Sequence, residues 1–319
     1  MAPTIDIIRH GEAHHNIIGS DIPDPGLTHR GVRQCLGLQA RYKGIDSGEN
    51  ITHIISSPLQ RTIETSVFIA KLAREGMKII LNPQLQEVNA TPSSTGTPVS
   101  KLVEQYSNLD LDTAGLDEDW YKKGPDTPFA PDVEKLETRA LRARCFLLAI
   151  VRDLASQGKE NARVVVVTHG EFAHWLTNDF TGTGYHRNSG WHNAEVRSYQ
   201  FEKLDVVEGD EIPLIETQDG LRRRGITEPV QLTDKEKAEL KRIASIRVVS
   251  YASSYAEREE RERQLRELAA EDEEWEDEEV ADKENADQSQ PLPRQRPRRR
   301  PRSFPLREIS VTPADGLDV

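Results

Sequence analysis

The sequence predicts an α/β fold, a three-layer α/β/α sandwich around a mostly parallel central sheet. Three observations predict it. Short β-branched runs alternate with longer stretches whose apolar residues recur at helical spacing. Val164 to Val167 is four valines in a row, which suits a central strand covered on both faces. Two of the runs end in a His-Gly pair, His10-Gly11 and His169-Gly170, which would bring both imidazoles to the carboxyl edge of one sheet.

Taken in order, Thr4 to Ile8 is a buried strand opening into the loop Arg9-His10-Gly11. Residues 19–26 (GSDIPDPG) are turn chemistry, and Thr28 caps a helix over about 29–42, with Val32, Cys35, Leu36 and Leu38 as its apolar positions. Ile51 to Ile55 is a second strand. Ser57-Pro58 then offers a capping hydroxyl and a proline at the first helical position, for a helix that runs through Leu72. Met77 to Leu81 is a third strand. Residues 88–131, rich in Thr, Ser, Pro, Gly and Asp, form a long irregular connection of the kind that serves as a lid, with Tyr106, Trp120 and Tyr121 either anchoring it or offering stacking surfaces. Val133 to Leu154 is a long helix with Leu136, Leu141, Cys145, Leu148 and Val151 on one face, and the valine run is the fourth strand.

Beyond Phe201 the pattern weakens. Thr233 and Glu236 form a capping box before a helix over about 234–245. Residues 256–280 are dense in Glu and Arg and read as a solvated, partly helical stretch, and residues 294–302 carry six arginines broken by prolines. The expected organisation is a catalytic domain over 1–205, a peripheral extension with a helix over 206–255, and a charged, disordered tail over 256–319. The net charge of −12 argues against nucleic-acid binding by the folded domain. Cys35 and Cys145 both lie in helical segments and are expected to be buried, reduced thiols. The N-terminus has no charged segment followed by an apolar one, and no run approaches the ~20 apolar residues of a membrane span. Asn50-Ile51-Thr52 matches a glycosylation acceptor, which without a secretory signal is read as chance. The expected location is the cytoplasm, with the nucleus as the alternative that the Arg-rich tail suggests.

The chemistry converges on one edge. Arg9-His10-Gly11 and His169-Gly170 each follow a strand, and Arg61 lies in the first turn of the helix after the second strand, where anions bind. Two imidazoles and two guanidinium groups at one place fit a dianionic phosphoryl group. Arginines grip its oxygens bidentately and stay charged at every working pH. A neutral imidazole is a nucleophile near neutrality. Gly11 lets the backbone come close and offers a carbonyl to fix the His10 tautomer. No metal-ligand spacing is visible, and no metal or cofactor is expected.

At these residues the chain resembles the histidine phosphatase superfamily, the phosphoglycerate mutase-like fold. The carrying segments are RHGEAHHN (9–16), DPGLTHRG (24–31), SSPLQRTIET (56–65), LQEVN (85–89) and VVTHGEF (166–172), in the family's order. The segments THGEFAHWL and GWHNAEVRSYQF resemble a branch of small fungal-type members. The resemblance implies that His10 is the nucleophile that becomes phosphohistidine. It implies that Arg9, Arg61 and His169 complete the phosphate pocket, that Asn16 and the Gly170 amide add hydrogen bonds, and that Glu87 is the general acid. Glu12 and Glu171 flank the site and are read as structural, as are Trp191, Glu195, Arg197 and Tyr199. His14, His15 and His174 are assigned no catalytic role, with the pocket rim as the place open to His14. The implied activity is hydrolysis of a small-molecule phosphomonoester. Two alternatives stand beside it: a phosphoglycerate mutase, disfavoured because residues 88–102 carry only Lys101 as a cation, and a catalytically idle fold used for binding.

Overall fold

In the computed structural model, residues 2–45, 50–73, 76–183, 190–207 and 211–286 are described. The Arg-rich segment 294–302 lies outside them. The chain divides into two compact units, Met1–Glu260 and Arg261–Val319. The first unit is built on a seven-stranded sheet in the order β4-β3-β2-β5-β1-β6-β7. Its strands are β1 (Thr4–Arg9), β2 (Ile51–Ser56), β3 (Ile79–Leu81), β4 (Leu111–Asp112), β5 (Arg163–Thr168), β6 (Val196–Phe201) and β7 (Leu214–Glu216). β1 to β5 are mutually parallel where they pair, and β6 runs antiparallel to β1 and β7. The sheet is therefore mixed and mostly parallel, as the β-branched runs predict.

The valine run explains the three layers. Val164 and Val166 point into one core cluster, with Leu136, Leu147 and Val151 of α5 (Val133–Ser156) and Phe172 and Leu176 of α6 (Gly170–Thr177). Val165 and Val167 point into the other, with Leu38 and Tyr42 of α2 (His29–Ile45) and Ile63 and Ile69 of α3 (Gln60–Ala70). All four valines are 0% exposed, so alternate side chains of one strand bury against helices on opposite faces. After the short α7 (Gln218–Arg223), α8 (Asp234–Ala286) adds Ala244 and Val248 to the first cluster.

Several local readings are refined. Thr28 caps α2 by accepting the Gly31 N–H at 2.9 Å. The helix buries Cys35, Leu38 and Tyr42 but leaves Val32 and Leu36 exposed, because the face it packs is narrower than the apolar pattern. In α5 the buried face includes Leu136, Ala140, Ala143, Leu147, Leu148 and Val151, while Leu141 and Cys145 are exposed. The expectation of two buried thiols is thus corrected to one, since only Cys35 lies on a packed face. The 88–131 connection contains α4 (Val99–Gln105) and β4, and Trp120 is a core anchor at 1% exposure rather than a stacking surface. The capping box Thr233–Glu236 forms, with Glu236 Oε2 accepting the Thr233 N–H at 2.8 Å. The helix it starts runs on to Ala286, well past residue 245, because its Glu- and Arg-rich continuation consists of strong helix formers. Among the described residues no helix is long and apolar enough to cross a membrane.

Candidate active site

β1 and β5 pair in parallel with Arg9 opposite Thr168. The next residue of each strand, His10 and His169, therefore leaves the sheet at the same edge, and the His10 N–H donates to Thr168 O at 3.0 Å. The two rings sit 5.2 Å apart between centroids, tilted by 60°. On the other side of β5, β2 brings Ser56 opposite Val167, and the Ser57 N–H donates to Val167 O at 2.9 Å. Register alone thus collects three strand ends at one point, the carboxyl edge where α/β sheets bind ligands.

His10 is held in one tautomer. Its Nδ1–H donates to Gly11 O at 2.6 Å, so Nε2 carries the lone pair and accepts from Arg61 Nε at 3.3 Å. Gly11 is required by packing: a Cβ there would lie 2.8 Å from Cys35 Sγ and 3.0 Å from Gly31 O. The back of the loop is pinned by the chain before β6. Asn193 Nδ2 and the Ala194 N–H each donate to His10 O at 3.1 Å. Arg197 stacks 3.9 Å over the Trp191 ring and pairs with Glu195 at 2.7 Å.

The cations come from separate elements. Arg61, 1% exposed in the first turn of α3, donates through Nη1 to Ser93 O at 2.6 Å. Arg9 donates to Trp191 O, and its buried Nε has no partner among the described residues. Burial lowers the pKa of Arg61 to about 10, against Asp24 and Glu87, which raise it. Both His10 and His169 are pushed well below the ordinary imidazole value, first by burial and then by the Arg61 charge. Both rings are therefore neutral at working pH.

His169 pairs through Nε2 with Ser57 Oγ at 2.8 Å. The sequence reads Ser57 as a helix cap; in the structure α3 starts at Gln60 after Leu59, and the Ser57 hydroxyl serves the imidazole. Gly170 opens α6 beside it. Glu87 Oε1 accepts from the Phe172 N–H at 3.1 Å and from the Val88 N–H at 2.9 Å, which ties its carboxylate to the amino end of α6. The backbone that carries Glu87 is gripped by two buried cations. Lys123 Nζ donates to Glu87 O at 2.6 Å and to Asn89 O at 2.9 Å, and Arg139 Nη2 donates to Gln86 O at 3.0 Å. Asn16 is exposed; its Oδ1 accepts the Ala13 N–H at 2.9 Å and its Nδ2 sits 3.1 Å from His15 Nε2, so its amide is engaged on its own loop.

Sequence reasoning missed three residues here. His15, assigned no role, lies 5.7 Å from the His10 ring on the short α1 (His15–Ile18), with its pKa lowered to about 3 by burial and by Arg61 and Arg9. A four-residue helix leaves no period to read. Ser57 was legible only as a cap. Lys123 stands next to Lys122 in a polar segment, and counting cations over 88–102 stops short of both. Glu12 accepts from Thr28 Oγ1 at 2.8 Å and from Arg30 Nη1 at 3.0 Å. Among the described residues no group of three or more His, Cys, Asp or Glu could hold a metal ion.

Comparison with known proteins bears on this geometry. Residues 5–206 match the model of the histidine phosphatase superfamily, branch 1. The chain is similar to the probable phosphoglycerate mutase GpmB of Erwinia tasmaniensis, 29% identical over 172 residues, covering 51% of this chain and 68% of that protein. It is similar to the same-named protein of Photorhabdus laumondii, 34% identical over 171 residues with the same coverage. Among solved structures it is similar to the ecdysone phosphate phosphatase of Bombix mori in complex with tungstate, at 16% identity and a TM-score of 0.44, covering 73% of this chain and 96% of that one.

Proposed function

This chain belongs to branch 1 of the histidine phosphatase superfamily, and we propose that it hydrolyses a small phosphorylated metabolite, without a metal, through a phosphohistidine on His10. The observation that carries the reading is the fixed tautomer of His10. Its Nδ1–H is committed to Gly11 O at 2.6 Å, and its Nε2 lone pair lies beside the Arg61 guanidinium, 5.2 Å centroid to centroid from the His169 ring.

In the first step His10 Nε2 attacks phosphorus as the P–O ester bond breaks. Arg9, Arg61 and His169 take the phosphoryl oxygens, and Glu87 gives its proton to the departing alcohol oxygen. In the second step water attacks the phosphohistidine, the N–P bond breaks, Glu87 takes the water's proton and inorganic phosphate leaves. The protein does little covalent work; positioning and neutralisation carry most of the acceleration. With the positive charge supplied by arginine, the reading needs no bound metal. Gly170 adds a donor at the amino end of α6, and Asn16 would reach a phosphoryl oxygen only by leaving its loop contacts. A reducing compartment, the cytoplasm or the nucleus, suits the free thiols Cys35 and Cys145.

The names of the Erwinia and Photorhabdus relatives favour a second reading, phosphoglycerate mutase. A mutase must hold a doubly phosphorylated intermediate. Lys101 is exposed, and two N–H groups of Lys123 are committed to backbone carbonyls, which leaves hydrolysis as the preferred reading. The test is release of inorganic phosphate from a panel of phosphomonoesters by wild type and His10→Ala, with mutase turnover on a phosphoglycerate measured alongside. Wild type should release phosphate and form an acid-labile phosphoprotein, and His10→Ala should do neither while staying folded. Release that survives in His10→Ala sinks the mechanism. No release from any ester favours a binding role, and turnover without release favours the mutase.

A further inference from the structure

The residues of α8 up to Glu260 lie in the first compact unit, and they reach the surroundings of Glu87 at three points. Ala244 and Val248 are buried in the same core cluster as Val88, which seats the helix. Arg247 Nη1 donates to Glu171 Oε1 at 2.7 Å, and Tyr251 Oη lies 2.8 and 2.9 Å from the two oxygens of that carboxylate. Two turns on, Arg258 Nη2 donates to Ala90 O at 2.5 Å, three residues beyond Glu87.

Glu171 matters because of where it stands. It occupies the first turn of α6, and the very next amide, Phe172 N–H, is the one that holds Glu87 Oε1 at 3.1 Å. Two carboxylates thus share one helix amino end. Among the described residues, the guanidinium groups that face Glu87 are Arg9 from β1, Arg61 from α3 and Arg139 from α5, and beside them Lys123 from the 88–131 segment, whose pKa burial pushes well below the ordinary value. Glu171 is an anion in that company, and it shares Arg9 and the same helix end with Glu87. Arg247 and Tyr251 supply it with partners of its own on the side of α8. A buried carboxylate stripped of such partners would have to find others or move.

We propose that α8 braces the general acid: Arg247 and Tyr251 hold Glu171 away from Glu87, and Arg258 holds the loop at Ala90, so that the Glu87 carboxyl stays aimed at the leaving oxygen. The proposal rests on the reaction assigned above. Arg247, Tyr251 and Arg258 are positioning residues, and the proton that passes to the leaving oxygen as the P–O bond breaks still comes from Glu87. If the Arg247–Glu171 pair only stabilised the fold, its loss would lower the rate on every substrate alike.

Leaving groups separate the two roles. The full-length wild type, Glu87→Gln, Arg247→Met, Arg247→Lys and Tyr251→Phe are assayed on p-nitrophenyl phosphate, whose phenolate departs without a proton, and on β-glycerophosphate, whose alkoxide does not. The quantity compared is kcat/KM, which reports phosphoryl transfer to His10. Glu87→Gln calibrates the assay and should lose about 10²- to 10⁴-fold on β-glycerophosphate and far less on p-nitrophenyl phosphate. Tyr251→Phe and Arg247→Met are expected to lose about tenfold on β-glycerophosphate and less than about twofold on p-nitrophenyl phosphate, with Arg247→Lys recovering most of the loss. Equal losses on both esters, or none on either, overturn the brace. A Glu87→Gln variant without leaving-group discrimination overturns the general-acid assignment itself, and the brace with it. Should Arg247→Met fail to fold, Tyr251→Phe, which removes one hydroxyl, decides alone.

Discussion

Asp24 offers the sharpest test of the electrostatics at this site. It lies in the DPGL turn, 2% exposed, with φ at +36°. Its Oδ1 accepts the Gln60 N–H at 3.0 Å, and its Oδ2 has no partner among the described residues. Burial pushes its pKa from 3.8 up to about 7, against Arg61 and the Gln60 amide, which pull it down. The folded value exceeds the unfolded one, so the native state holds a proton over that interval that the unfolded chain has released. The group's stabilising contribution is full below the unfolded value and is lost as pH rises through about 7. Integrating the two titrations from pH 5 to pH 7 gives a loss of about 2 kcal/mol. Asp24→Asn keeps the Oδ1 acceptor and does not titrate. Urea unfolding of both proteins at pH 5, 6, 7 and 8 should show wild-type stability falling by about 2 kcal/mol relative to the variant between pH 5 and 7, then levelling. Two parallel curves would refute the claim that this carboxyl is buried and protonated.

Three further outcomes follow from the same structure. His10 and His169 are held neutral by burial and by Arg61, so below pH 6.5 the unfolded chain takes up protons that the native state refuses. Stability should fall with acidification by up to about 1.4 kcal/mol per pH unit for each ring, and His169→Gln should flatten the urea-midpoint profile by one ring's share. Ser57→Ala takes the partner from His169 Nε2, whose Nδ1 already lacks one among the described residues; a cost of about 1–3 kcal/mol is expected, and an unchanged melting temperature would count against the pairing. Gly31→Ala would set a Cβ 2.0 Å from Glu12 O; a lowered urea midpoint, by about 1–3 kcal/mol, is expected in equilibrium unfolding, and a wild-type midpoint would mean that the loop after β1 yields freely.

Much of the site was legible because its residues follow strands. A β-branched run reveals a strand locally, through side-chain crowding and alternation. A strand that ends in His-Gly delivers its histidine to the sheet's edge wherever that strand lies. The parallel register of Arg9 with Thr168 then makes two such endings neighbours. Arg61 was legible for a similar reason, since the first turn of the helix after β2 has to face the same edge.

Other features had no local signature. Ser57 carries a hydroxyl that suits a helix cap and an imidazole equally well, and the distance to His169, 2.8 Å, exists only once β2 lies beside β5. Lys123 is one polar residue in a polar segment until burial turns its ammonium onto Glu87 O and Asn89 O. The exposure of Cys145 depends on which stripe of α5 meets the sheet, and its apolar pattern was wide enough to fit two answers. Nor did the weakly apolar α8 announce that Arg247 and Tyr251 would reach Glu171.

The amino-acid sequence by itself determined the four strands at the centre of the sheet and the long helices between them, the family, and the four groups His10, His169, Arg9 and Arg61 at one edge, since each rests on chemistry within a few residues. Tertiary structure alone decided how strongly burial and Arg61 depress the two imidazoles, the Ser57 partner of His169 and the partners of Glu87. These depend on burial and on distances between atoms far apart along the chain, which no local preference encodes.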